Sequence, residues 1–219
     1  MSPRTLAVVA LAALLPAAGV VAGPGRAGSG QAAPGNRLTD PAALADRAPA
    51  TYRAIVDASA GTFVVLVHRE WAPHGADRFY NLVKYGFYDD CRFFRVVPGF
   101  MAQFGIHGDP AVSAAWVRAT IPIDRARQSN TRGRVTFAMG DGPATRTTQV
   151  FVNFGDNSRL DIDGFAPFGE VVSSMVIVER VFSGYGEGVD QGLIQAGGNA
   201  FLMKYLPRLD YIKKATIEQ

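Results

Sequence analysis

Cysteine is almost missing from the chain: 219 residues hold a single one, Cys91. That excludes an internal disulfide and any zinc cluster built on thiolates. With no helix start and no basic pattern beyond Arg92 beside it, Cys91 reads as a passive small residue rather than a nucleophile. Histidine is scarce as well, and His68, His74 and His107 lack metal-ligand spacing. No run of lysine or arginine stands out. The 22 basic and 19 acidic residues leave a formal net charge of +3, which supports neither nucleic-acid nor membrane binding. There is no Gly-x-Ser-x-Gly elbow to suggest a hydrolase, and no internal repeat. Gly184-Tyr185-Gly186-Glu187-Gly188 has the composition of a phosphate loop but follows a helix-like pattern instead of a strand. Asp161 and Asp163, just before Gly164, read as turn formers and not as a paired-carboxylate site.

The N-terminus is informative. Arg4 precedes an unbroken apolar run over residues 6–15, continued to Ala22, with Val20-Val21-Ala22 ahead of Gly23. This is the layout of a secretory signal peptide over 1–22. The alternative is an uncleaved membrane anchor, which Pro16 and Gly19 make less attractive. Residues 23–50 begin rich in Gly, Ala, Pro and Ser and are expected to form a flexible linker. The folded domain is expected over 51–219.

Within it, residues 40–46 suit a short helical turn with Asp40 as N-cap and Pro41 first. Residues 52–57 and 62–68 alternate as a hairpin. Pro73 opens a helix whose stripe is Ala76, Phe79, Tyr80 and Val83, ended by Gly86. A polar excursion over 107–132 is long enough to require that it serve a site or fold on itself. Strands are expected near 133–139, 149–154 and 168–172. Ser173 or Ser174 should cap a helix with Met175, Val178, Val181 and Phe182 as its stripe. Residues 184–198 are glycine-rich, 204–207 suit a short helical end, and 211–217 alternate as a last strand that would close the sheet.

The chemistry concentrates at 93–105, Phe-Phe-Arg-Val-Val-Pro-Gly-Phe-Met-Ala-Gln-Phe-Gly. Pro98-Gly99 makes a tight turn between two strands. Met101 and Gln103 then share one face, and Arg95 lies across the turn from them. That arrangement is an apolar floor with two directed hydrogen-bonding groups and no nucleophile. A second stretch has the same character, with Gln149 and Phe151 on one face.

The first stretch resembles the F-H-R-x-x-P-G-F-M-x-Q-x-G signature of cyclophilins, the peptidyl-prolyl cis-trans isomerases. Residues 149–153 resemble their S-Q-F-F-I segment, and Phe168-Gly169-Glu170-Val171 their F-G-K-V. Ala72-Pro73 and Gly86-Phe87-Tyr88-Asp89 match the start of their first helix and the turn after it. The resemblance covers roughly 52–182 and the last strand, and leaves 184–208 as an insertion. It implies a mainly β fold, a closed antiparallel barrel of about eight strands with two covering α-helices.

It also implies rotation about X-Pro peptide bonds; together with the signal-peptide layout, this points to assisting the folding of exported chains, in the periplasm or outside the cell. Arg95 would be the catalytic cation. Phe100, Met101, Phe151, Leu160 and Phe165 would line the proline pocket, with Gln103 and Gln149 facing the same groove. Phe94 and Phe165 stand where many family members carry histidine. The family's tryptophan is missing near Arg159-Leu160, so weak cyclosporin binding is expected. The partners are proline-containing unfolded or extended polypeptides, with no nucleic acid. No cofactor or metal is implied, and a monomer is the default. Two other readings are open: a non-catalytic module that uses the same groove to bind proline-containing segments, and a holdase for exported chains whose isomerase activity is incidental.

Overall fold

The computed structural model describes residues 37–218. The expected signal peptide and most of the glycine-rich stretch lie outside them. Eight antiparallel strands form one curled sheet: β1 (Thr51–Ala58), β2 (Gly61–His68), β3 (Arg95–Val97), β4 (Met101–Phe104), β5 (Arg134–Phe137), β6 (Val150–Asn153), β7 (Pro167–Ser173) and β8 (Ile212–Glu218). Their order is β3-β4-β6-β5-β7-β2-β1-β8. Four α-helices accompany the sheet: α1 (Pro73–Lys84), α2 (Pro110–Trp116), α3 (Met175–Glu179) and α4 (Gln191–Tyr205).

The barrel expected to be closed is open. β3 and β8 are the two ends of the ladder, and they meet only where residues before β3 reach the start of β8. Arg92 and Tyr211 form one isolated bridge, flanked by Phe93 N–H to Asp210 O (2.9 Å) and Ile212 N–H to Cys91 O (2.9 Å). β3 is three residues long and turns away at Pro98-Gly99 before a continuous ladder to β8 can form.

Strand alternation sorts the sheet's two faces. Val96, Ala102, Phe104, Val135, Phe137, Val150 and Val152 point into the main core with Ala54, Val56, Val65 and Val67. α1 lays Ala76, Phe79, Leu82 and Val83 against this core, where Phe79 meets the Phe168 ring at 5.0 Å and Phe168 meets Phe137 at 5.1 Å. The opposite face of β3, β4 and β6 is left to the site.

α1 has no side-chain cap of its own at Ala72. The carboxylate of Asp124 supplies it from a distance, accepting the N–H of His74 (3.0 Å) and of Gly75 (2.9 Å). Asp124 also pairs with Arg146 at 3.1 Å, and both side chains are at most 2% exposed. The same Arg146 donates to the carbonyls of Pro122 and Pro143. One buried cluster thus ties the start of α1 to two connections of the sheet.

Several connections differ from expectation. The excursion over 107–132 contains α2, which opens on the Asp109 cap and Pro110. α3 is five residues long, and Ser174 at its N-cap sits at φ 61° without a side-chain cap bond. The glycine-rich stretch carries α4, capped by Asp190 onto the N–H of Leu193. Two covering helices are therefore four. α4 kinks at Gly198 (φ 55°, ψ −150°), where a Cβ would stand 2.1 Å from Gly108 O. Ile194 and Leu202 of α4 join Phe94, Ile106 and Leu209 in a second, smaller core. Residues 37–50, the end of the expected linker, lie on the domain: Leu44 and Ala48 are buried, and the N–H of Asp46 and Asn81 Nδ2 bond between this stretch and α1. Asp40 caps the turn at Pro41–Ala43 through the N–H of Ala42. Among the described residues no helix is long and apolar enough to cross a membrane.

Candidate active site

Register brings the expected residues together. Arg95 of β3 lies opposite Gln103 of β4, Gln103 opposite Phe151 of β6, and Phe151 opposite Thr136 of β5. Residues directly opposite in antiparallel strands share a face. A row of Arg95, Gln103, Phe151 and Thr136 therefore crosses four strands on the side away from the main core. Met101, two residues from Gln103, is on the same face and buried.

The polar groups form a chain. Arg95 Nη1 donates to Gln103 Oε1 (3.2 Å), and Gln103 Nε2 donates to Gln149 Oε1 (2.7 Å). Gln103 is only 5% exposed, so its amide has one orientation that satisfies both bonds. The guanidinium of Arg95 stands 5.7 Å from the Phe100 ring and that of Arg159 4.9 Å from the same ring. Phe151 and Phe165 meet edge-to-face at 5.8 Å. Leu160 ends the 3₁₀ turn Ser158–Leu160, and its carbonyl accepts the N–H of Phe165 (3.3 Å). Gln149, Phe100, Leu160 and Phe165 are half-buried at the rim.

On the same face, beside Met101 and Thr136, lies a set of amides that sequence reasoning missed. Asn130 Nδ2 donates to Asp161 Oδ1 (2.7 Å) and to the carbonyl of Phe165 (2.9 Å). Asn130 Oδ1 accepts from Thr136 Oγ1 (2.8 Å) and Asn153 Nδ2 (3.3 Å). Asn157 Nδ2 donates to Asn153 Oδ1 (2.8 Å) and to the carbonyl of Phe100 (2.8 Å). Asn130 and Asn153 are fully buried, and the network fixes the backbones that carry the two rim aromatics, Phe100 and Phe165. Asp161 is spent here, on Asn130 and on the hydroxyl of Ser129. The clustering of Asn at 130, 153 and 157 was the available signal, but separately each reads as a turn or strand-end residue.

A further residue comes from the expected insertion. Glu187 Oε1 accepts from Arg95 Nη2, so the guanidinium is held on both arms. Cys91 is remote from this chemistry: it is buried, its Sγ lies 3.3 Å from Ile106 O, and burial pushes its thiol well above the ordinary range. Among the described residues no group of three or more His, Cys, Asp or Glu could hold a metal ion. An apolar floor, a cation at its edge and fixed amides can grip a small ring and direct N–H groups at an adjoining peptide unit.

The model of the cyclophilin type peptidyl-prolyl cis-trans isomerase/CLD family matches residues 53–193. A peptidyl-prolyl cis-trans isomerase of Acinetobacter baylyi is 31% identical over 128 residues, covering 55% of this chain and 66% of the relative. Peptidyl-prolyl cis-trans isomerase B of Escherichia coli is 30% identical over 129 residues, 55% of this chain and 78% of that protein. The crystal structure of a cyclophilin type isomerase from Cryptosporidium parvum superposes with a TM-score of 0.58 at 16% identity, covering 77% of this chain and 98% of that one. The last likeness concerns the fold alone. The family match spans every strand of the site, from β3 to β7, and the chain belongs to the cyclophilin-type peptidyl-prolyl cis-trans isomerases.

Proposed function

We propose that this chain catalyses rotation about X-Pro bonds in exported polypeptides, without a covalent intermediate, through the Arg95 cation and the pocket beside it. The X-Pro bond resists rotation because amide resonance gives C–N double-bond character, with a barrier of ~18–20 kcal/mol. The pocket of Phe100, Met101, Phe151, Leu160 and Phe165 grips the proline ring. Arg95 directs N–H groups at the prolyl nitrogen or carbonyl and stabilises the twisted amide more than the planar one. The planar, permanently charged fork suits this better than a lysine. An acceleration of about 10⁵ requires only ~7 kcal/mol, within reach of pocket strain and one or two charge-assisted hydrogen bonds. Gln103 and Gln149 bind substrate backbone and keep Arg95 in place.

The observation that carries this reading is the bonded chain Arg95–Gln103–Gln149 along the row shared with Phe151. The experiment is the cis-to-trans rate of a short X-Pro peptide with residues 36–219, wild type beside Arg95→Ala. A large acceleration that collapses in the variant, with the circular dichroism spectrum retained, supports the enzyme and its cation together. A folded wild type with no effect favours a non-catalytic module for proline-containing segments. The family's tryptophan is missing near Arg159-Leu160, so cyclosporin should bind weakly; nanomolar affinity by calorimetry would refute that. Export rests on the apolar run at residues 6–15 behind Arg4. Fractionation of cells expressing the full chain tests it, and retention in the cytoplasm would overturn it. Isomerisation limits folding of many chains, which gives such an enzyme its use where exported proteins fold. A monomer is the proposed state, checked by light scattering.

A further inference from the structure

Arg95 is not free to meet a substrate on its own terms. One arm of its guanidinium is taken by the neutral amide of Gln103 and the other by the carboxylate of Glu187. Glu187 is 92 positions away in the chain, and the segment that carries it is built to stay where it is. Two tight turns shape the segment, Gly186 N–H to Ser183 O (3.0 Å) and Gly188 N–H to Tyr185 O (3.2 Å). On either side of the glutamate, Tyr185 and Val189 pack against the small core of Phe94, Ile106, Ile194, Leu202 and Leu209. At its start Phe182 meets Tyr185 edge-to-face at 5.2 Å, and the N–H of Phe182 donates to Asp210 (2.7 Å). The side chain of Glu187 is nonetheless 48% exposed, against 25% for Arg95. An anchored, half-exposed anion therefore stands on the solvent side of the cation that faces the X-Pro bond.

We infer that Glu187 is a specificity-determining residue: it offsets the positive charge of Arg95 on the solvent side of the groove, so that X-Pro segments flanked by Lys or Arg are accepted there, and its loss shifts selection toward segments flanked by Asp or Glu. This rests on the isomerase reading above. A carboxylate bonded to the guanidinium lies within one side-chain length of the residues flanking a bound proline. There, solvent screens charges only partly at low salt and strongly at high salt. The other charge at the rim, Arg159, lies over Phe100 and bonds to Asn157 Oδ1 (3.2 Å). Its charge is common to every comparison below.

The test measures kcat/KM for two peptides that differ only in the residues flanking proline, Lys-Pro-Lys and Glu-Pro-Glu, with the wild type, Glu187→Gln and Glu187→Lys. The Gln variant can still accept the bond from Arg95, so geometry is kept while the charge is removed. Taking the ratio of the two peptides cancels any change common to both, which a merely structural role would produce. The Lys-to-Glu ratio is expected to fall about three- to ten-fold from wild type to Glu187→Gln at low salt and to change little at ~0.5 M salt. It should fall further in Glu187→Lys. If both peptides are isomerised but the ratio is unchanged in Glu187→Gln, the assignment of Glu187 is overturned and the isomerase reading stands. If the folded wild type accelerates neither peptide, both fall.

Discussion

Substitution of Asp124 by alanine should be among the most damaging single changes away from the groove. Its carboxylate serves three donors: two N–H groups in the first turn of α1 and the guanidinium of Arg146. The Arg146 side chain is 1% exposed, so no water can take over its charge. Breaking a buried pair on one side costs about 3–5 kcal/mol. Losing the only side-chain cap of α1 adds about 1 kcal/mol. The sum, about 4–6 kcal/mol, is a large part of the roughly 5–15 kcal/mol by which a typical domain is stable. With a urea slope of about 2 kcal/mol per molar, the midpoint should fall by about 2–3 M. Asp124→Asn keeps the volume and one accepting oxygen and should lie between. The double change Asp124→Ala with Arg146→Met should be less harmful than Asp124→Ala alone, because no buried charge is left without a partner. Urea unfolding followed by tryptophan fluorescence measures wild type, these three variants and Arg146→Met alone. An Asp124→Ala variant within about 1 kcal/mol of wild type at unchanged slope, or strict additivity in the double, would refute the reasoning.

Three other outcomes are expected. Burial lowers the pKa of His107 below its usual 6.5; the unfolded chain then binds more protons than the folded one as pH drops through that value. Stability should therefore decline below about pH 6.5, and less steeply in His107→Gln; a steeper decline in the variant would contradict the sign. Cys91 should resist a thiol reagent in the native protein and react fully in denaturant, since its raised pKa and burial leave almost no thiolate; rapid labelling of folded protein would contradict this. Gly198→Ala would place a methyl against Gly108 O at a backbone conformation that L side chains rarely adopt. It should cost at least ~2 kcal/mol and expose 184–208 to limited proteolysis, with an unchanged cleavage pattern as the contrary result.

What could be read beforehand was whatever depends on neighbours in sequence. The β1–β2 hairpin, α1 and the Arg95-to-Gln103 hairpin follow from alternation, helical spacing and turn residues within a dozen positions. α2 was absorbed into a polar excursion, although Asp109-Pro110 carries the same cap-then-proline signal that marked Asp40-Pro41. α4 was hidden because Gly192, Gly197 and Gly198 have poor helix propensity; burial of Ile194 and Leu202 outweighs it. The long-range polar contacts had no local trace. Asp124 caps a helix some fifty positions back in the chain, Asn130 holds the carbonyl of Phe165, and Glu187 reaches Arg95 through an insertion that composition alone marks as loop. Closure of the sheet was implied by the family resemblance, but it depends on β3 being long enough to meet β8.

The brevity of β3 has a consequence of its own. The unfolded clients proposed above would bring segments seeking a free strand edge, and β3 ends the ladder beside the groove. At three residues, opened by the Arg95–Glu187 ion pair and ended by Pro98, it offers too short and too charged a template for a client to lengthen the sheet. The hairpin that presents the cation is thus also a poor template for strand addition.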